Sequence, residues 1–354
     1  MRPSSSLSDA AWLQAMLDVE AALARATVPE HAEAIAAACR AERFDAGALA
    51  LEAERHATPV VGLVAALRAA VGPEHAEFVH RGATSQDVAD TAAMLLARRA
   101  IDALWIDAGA AADAAARLAA EHRSTPMVAR TLLQPALATT FGLKAAGWMT
   151  GIDGAIERLN AQPLWVQMGG PVGARSPEVA IAVAAELVLA VPSLPWHADR
   201  VGPASLGAAL GVLCGALGKV ATDVVLLGQA EVGEVRSGDG ASSAMAHKRN
   251  PADAVQVRAA ATRAPGLVAT LLRAMDAEHE RAAGTWQAEW PALRDLLDLA
   301  IAAATHGRRM LEALEVVPGR MAENLAAVGG VPDLGATGVL IDRALQTHTE
   351  QETP

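Results

Sequence analysis

The feature that most constrains the fold is a glycine-spaced apolar run near the middle of the chain. Residues 201–218 carry no charge, and Leu206, Leu210, Leu213, Leu217, Val220, Val224 and Leu227 recur at heptad spacing within and beyond them. Gly207, Gly211, Gly215 and Gly218 sit among these side chains. The uncharged stretch is just long enough to span a bilayer. Its period continues unbroken through Lys219 and Asp223, however. The pattern therefore fits the central helix of a large bundle, with glycines letting neighbouring helices approach closely. No membrane partner is expected.

Other seams follow the same logic. Ile101, Leu104, Ala108, Ala111, Ala115 and Leu118 mark a long helix that begins near Thr84 and ends before Ser124-Thr125-Pro126. A second is expected over roughly 130–159, a third from Pro203 to about Val232, and a fourth from Pro251 to about Glu280. The fifth follows Trp286, with Trp290, Leu293, Leu297, Ala300, Ala304, Leu311 and Leu314 as its seam. Residues 7–80 read as shorter helices with Leu13, Leu17 and Ala21 in the first stripe and Pro29, Pro59 and Pro73 as punctuation. The stretch 162–195 reads as a connector with one short helix. Alanine-rich composition, absent tyrosine and scarce phenylalanine support an all-α fold. A thirty-residue helix is roughly 45 Å long. Five of that length exceed what a small domain needs, and suggest a bundle that also forms the core of an oligomer.

A net charge of −11 argues against nucleic acid as the main partner, because there is no global basic field to neutralise phosphates. A local cluster can still bind a small anion. Cys39 and Cys214 make neither a disulfide framework nor a zinc spacing, and are expected to be buried structural thiols. The opening MRPSSSLSDA has no apolar core, so no signal peptide is read and the cytoplasm is expected.

Chemistry concentrates in three places. The stretch 237–251, SGDGASSAMAHKRNP, starts with glycines and hydroxyls, turns basic at His247, Lys248 and Arg249, and closes on Asn250-Pro251. That ending reads as a helix N-cap with proline at the first helical position, and Asp253 then sits in the first turn. A loop with hydroxyls running into a helix start flanked by cations suits a lid over an anionic substrate. A solvated Gly/Ser loop before a capped helix is the plainer reading. The second place is HRGATSQDVADT, residues 80–91. Thr84 and Asp87 have capping-box spacing, which by itself is only a helix start. His80, Thr84, Ser85 and Gln86 crowd that start, where free N–H groups favour a carboxylate. The third is EHERAAGTWQAEW, residues 278–290, with His279, Arg281 and Glu289 at the entrance of a bundle helix; ordinary surface solvation explains each singly. His197 and Arg200 in PWHADR carry less signal.

The motifs HRGATSQDVADT and GASSAMAHKRNP together resemble the fumarase/aspartase superfamily, the second being similar to the signature GSSxMPxKxNP. MLDVEAALARA, PWHADR, ALGKVATDVVLLGQAEVGEV and EHERAAGTWQAEW extend the resemblance, up to about Asn324, to the 3-carboxy-cis,cis-muconate cycloisomerases. The resemblance implies an all-α, long five-helix bundle, a homotetramer with active sites shared among three subunits, no metal and no organic cofactor. It implies a small polycarboxylate substrate and a lactone-forming reaction of protocatechuate degradation. It makes Ser242 the proton carrier, Lys248 and Asn250 substrate-binding, and His80, Thr84 and Ser85 the first binding motif. Arg249, His279 and Arg281 join them as binding residues, and His247 is read as an assisting acid or base.

Departures accompany the match. Pro135 stands where the family often has a histidine, and implies that the second long helix starts or kinks there. Ala241 and Ala246 replace a glycine and a proline of the signature. The chain is read as an N-terminal helical domain (1–80), a central bundle (81–315) and a reduced C-terminal helical segment (316–354), with most of a third domain deleted internally. The alternatives are a cycloisomerase of another 3-substituted muconate such as a sulfonate, an adenylosuccinate-lyase-like C–N lyase, and a non-catalytic scaffold relative.

Overall fold

A computed structural model describes residues 7–238, 240–241, 243–245, 249–330 and 333–352. The N-terminal helices begin where the sequence supplies caps. Ser8 Oγ accepts the Ala11 N–H at 3.2 Å and opens α1 (Asp9–Thr27). Asp45 accepts from Gly47 and Ala48 at the start of α3 (Ala46–His56). The helices α2 (Pro29–Ala38), α4 (Pro59–Val71) and the single-turn α5 (Pro73–Ala76) each start on proline, where the missing N–H has no helical partner to lose. Pro29, Pro59 and Pro73 thus punctuate this region by starting helices.

The long helices are α6 (Ser85–Glu121), α7 (Phe141–Asn160), α9 (Val201–Leu227), α10 (Ala252–Arg273) and α11 (Thr285–Glu312). The shorter α8 (Pro177–Leu187) lies in the connector. The α6 seam from Ile101 to Leu118 is buried, as are the α11 seam from Leu293 to Leu311 and Leu314 just beyond the helix. In α9, Leu206, Leu210, Leu213, Leu217, Val220 and Val224 are buried, which makes this apolar helix a core helix. At Gly218 an added Cβ would stand 2.5 Å from Ala261 Cβ, so the close approach expected of the glycines is real there. Two boundaries are shorter than the sequence suggests. α9 stops at Leu227, before a turn over 229–233, and α10 stops at Arg273.

The expected helix over 130–159 is corrected. Its first part is a hairpin of β1 (Pro126–Thr131) and β2 (Gln134–Thr140), and α7 begins only at Phe141, capped by Thr140. Leu132 and Leu133 form the turn with φ of 49° and 63°, the left-handed pair that two-residue hairpin turns require. Pro135 sits opposite Arg130, next to the point where the register shifts. Proline is tolerated at such an irregularity because no regular ladder bond is lost. Two further strand pairs are short: β3 (Val235–Arg236) with β6 (Glu315–Val316), and β4 (Gly240–Ala241) with β5 (Arg249–Asn250). The chain ends in α12 (Pro318–Ala327) and α13 (Thr337–Glu352).

The chain forms two compact units. One comprises residues through Asp102, Gln162–Ala208 and Gly266–Asp298; the other comprises Ala103–Ala161, Ala209–Pro265 and the residues from Leu299. In the second unit α13 is fastened to its neighbours by side chains. His348 Nδ1 lies 3.0 Å from Asp153 and its Nε2 3.2 Å from Asp113. Arg123 makes a bidentate pair with Asp342 at 2.8 and 2.6 Å. Arg130 pairs both nitrogens with buried Glu234 at 2.9 Å, and Asn324 Nδ2 donates to the same carboxylate at 2.8 Å.

Candidate active site

The first unit carries the start of α6 and most of the polar groups that the sequence singles out. His80 takes a left-handed backbone (φ 62°), and its Nδ1 lies 2.6 Å from Glu20 Oε1 on α1. Thr84 and Ser85 are half-buried at the mouth of the helix. Asp87 is expected to cap, and it does accept the Thr84 N–H at 3.1 Å. It does much more besides. Its fully buried carboxylate accepts from the Thr84, Gly169 and Gly170 N–H groups and from Gln167 Nε2, and lies 2.9 Å from His197 Nε2. Charge-assisted bonds of this kind are the strong ones. They tie the segment 167–170 to the helix start.

That segment is shaped by what surrounds it. A Cβ on Gly169 would lie 2.6 Å from Pro195 Cβ and 2.8 Å from His197 Cε1, so only glycine fits. Thr91 Oγ1 donates to the Gln167 carbonyl at 2.7 Å, and Gln167 Oε1 accepts the Trp196 N–H at 2.7 Å. Arg281 donates to the Gly170 and Pro171 carbonyls at 3.2 and 3.0 Å. Arg175 donates to the Arg81 carbonyl at 2.8 Å, and burial lowers its pKa against the pull of Asp87. His80, Thr84, Ser85 and Arg281 thus belong to one linked set of segments. His279 is exposed on a left-handed residue (φ 46°).

Behind the start of α6 lies a buried charge network. Arg200 holds Asp90 at 2.7 Å and Glu289 at 2.5 Å, with all three side chains 3–4% exposed. Trp286 Nε1 donates to Asp90 at 2.9 Å, and the Arg200 guanidinium sits 4.9 Å from the Trp196 ring centroid. Burial alone would lower the Arg200 pKa, but the Asp90 and Glu289 carboxylates outweigh it and push it up. Burial raises the Glu289 carboxyl despite its bond to Arg200. Sequence reasoning misses the roles of Gln167 and Glu20 and gives Asp87 only a capping role; it singles out Glu289 but finds little signal in its partner Arg200 or in His197. The usable signal is an aspartate in a helix start preceded by a histidine, together with a glycine pair far along the chain.

In the second unit, β4 pairs with β5, and Asn250 Nδ2 donates to the Ala241 carbonyl at 3.2 Å. Asn250 is not the helix cap. The Pro251 carbonyl accepts the first helical N–H, from Val255 at 3.0 Å, so Pro251 takes that position. Asp253 in the first turn pairs with His306 at 2.7 Å. Arg249 is exposed. Ser242, His247 and Lys248 lie outside the described residues.

The long helices and the polar helix start define an all-α class of protein. A protein-family model described as lyase matches residues 4–266. The chain is 46% identical to nitrosuccinate lyase of Streptomyces davaonensis, over 92% of this chain and 75% of that protein. It is 42% identical to 3-carboxy-cis,cis-muconate cycloisomerase of Pseudomonas putida, over 96% of this chain and 85% of that one. The crystal structure of 3-carboxy-cis,cis-muconate lactonizing enzyme from Pseudomonas putida superimposes with a TM-score of 0.91 at 34% identity, covering 98% of this chain and 96% of that one. The chain belongs to the lyase family, with the all-α fumarase/aspartase fold.

Proposed function

We propose that this chain is a cycloisomerase that closes 3-carboxy-cis,cis-muconate to 4-carboxymuconolactone, an intramolecular lyase step of protocatechuate degradation in the β-ketoadipate pathway. The observation that carries this reading is agreement along nearly the whole chain, in sequence and in fold, with cycloisomerases of that name. One substrate carboxylate adds to a double bond and a proton goes to the carbon beside another carboxylate. The barrier lies in the enolate-like charge that collects there, which fixed donors and cations must stabilise. Ser242 is the proton carrier and His247 assists it; a serine serves only where its alkoxide is stabilised, which is the task of Lys248. Asn250, Arg249, His80, Thr84, Ser85, His279 and Arg281 bind the carboxylates. The protein works as a cytoplasmic homotetramer with shared sites. Residues 1–80, 81–315 and 316–354 are its N-terminal domain, its central bundle and its C-terminal helical segment.

The test is the ultraviolet absorbance of 3-carboxy-cis,cis-muconate, which falls as the conjugated diene is consumed. A rapid fall that Ser242→Ala abolishes supports the reading. No fall on this diene or its 3-sulfo analogue defeats it. Light scattering that shows a stable monomer defeats the shared site.

The 46% identity to nitrosuccinate lyase favours a second reading, elimination of a nitrogen group from a substituted succinate. The same carboxylate-stabilised carbanion is involved, so the same residues serve. Release of nitrite from nitrosuccinate, without loss of the diene, would select it.

A further inference from the structure

We propose that Glu20 is a positioning residue for His80, and that the pair forms a carboxylate–histidine dyad presenting Nε2 to a substrate carboxylate. The inference deepens the function proposed above and rests on it for the identity of the substrate.

The geometry is specific. His80 Nδ1 lies 2.6 Å from Glu20 Oε1, and the two residues are 60 positions apart in sequence. The Glu20 side chain is fully buried, whereas the His80 side chain keeps 15% of its surface exposed. Glu20 Oε2 is buried and has no donor among the described residues. His80 is therefore the partner on which this buried carboxylate depends, since a buried charge is tolerated only when paired. His80 also has a left-handed backbone (φ 62°), a conformation that costs a non-glycine residue about 1–3 kcal/mol and is found where the surroundings impose it.

A carboxylate on one ring nitrogen decides what the other can do. With the Nδ1 proton given to Glu20, a neutral ring keeps its lone pair on Nε2 and accepts there. Taking up a proton at Nε2 turns it into a donor, and the Glu20 charge then leaves the pair neutral overall. Such a group matches a carboxylate on which negative charge rises and falls during reaction. The ring sits four residues before the half-buried Thr84, at the same helix start. Glu20 on α1 is the charged group bonded to it; Arg81 and Asp87 lie on the same stretch of chain, and Arg175 donates to the Arg81 carbonyl. Cys39 and Asp18 lie on the Glu20 side, since both carboxylates raise the Cys39 thiol after burial has done so.

The experiment is a double-mutant cycle on whichever substrate the protein turns over. H80Q keeps a donor for Glu20 but cannot titrate, and should lower kcat by about 100-fold with a smaller change in KM. E20Q should lower kcat by about 10- to 100-fold. In the H80Q background, E20Q should change kcat by no more than about twofold, because a residue acting only through another has no effect once that other is gone. Multiplying effects would overturn the dyad, as would full activity in E20Q. Should E20Q not fold, E20D draws the charge back by one methylene and reads the same link. Nitrogen NMR of histidine-labelled protein tests the tautomer without turnover. A ring that keeps its proton on Nδ1, whether neutral or doubly protonated, and shifts toward the Nε2 tautomer in E20Q, supports the dyad; a neutral ring protonated on Nε2 alone in the unmutated protein overturns it. Inactivity on both substrates would defeat the proposed function and leave the dyad to be judged by the tautomer.

Discussion

Asp87 Oδ1 stands 2.9 Å from His197 Nε2, and both side chains are buried although 110 residues separate them. The same carboxylate holds the Gly169 and Gly170 N–H groups, so one residue joins three stretches of chain. Asp87→Ala would leave three backbone N–H groups and Gln167 Nε2 without this acceptor, and the imidazole without its carboxylate. The expected loss is about 3–5 kcal/mol of stability, measured by urea unfolding. A loss below about 1 kcal/mol would show that water or neighbours replace the carboxylate readily.

Gly169 and Gly147 should respond in opposite directions. An alanine Cβ at 169 meets Pro195 and His197 at under 3 Å, and overpacking of that kind costs about 1–3 kcal/mol. Gly147 lies on the exposed side of α7, where an added Cβ would meet nothing within 4 Å, and Gly147→Ala should stabilise by about 0.5–1 kcal/mol. Thermal melts of the two variants check the pair.

Both thiols should be silent in the folded protein. Burial pushes Cys39 and Cys214 up to about 12, above the ordinary value of 9.0. At pH 8 a thiol reagent should therefore label neither until denaturant is added, and then both. The raised values favour the folded state below pH 9, where the thiols are protonated in both states, and that contribution is lost as pH rises toward 12. Alkaline unfolding should be shallower in a Cys39→Ala, Cys214→Ala double variant.

The C-terminal helix should loosen when its histidine is removed. His348 is 9% exposed and Asp153 13%, whereas Asp113 is 56% exposed, so the Asp153 link carries most of the energy. Burial raises the Asp153 carboxyl, with His348 opposing that shift, so His348→Ala leaves a carboxylate poorly placed for charge. Amide exchange over 337–352 should quicken by about tenfold, equivalent to ~1.4 kcal/mol, with α1 unchanged. Equal exchange in both helices would contradict the fastening.

The long helices are legible in the sequence because their burial has one period. Ile101 to Leu118 and Leu293 to Leu314 face inward as their spacing predicts. The hairpin at 126–140 is not, because apolar residues at 128, 132, 133 and 137 also satisfy a helical count. Only the left-handed Leu132 and Leu133, which are not the usual turn residues, break it. At the site, His80 and Thr84 stand out through local crowding. Asp87 reads as a cap because its neighbour in sequence explains it fully. Its other partners, Gly169 and His197, are near it only in the folded chain. Glu20 is hidden for the same reason, as one acid in an ordinary amphipathic helix.

The Arg200 network has a bearing on descent as well as on stability. Asp90, Arg200 and Glu289 are held together by Arg200, away from water. A lineage that loses one of them is left with an unmatched interior charge, and only a matching change at another position relieves it. The three sites should therefore change together, drift at one leaving its mark on the other two.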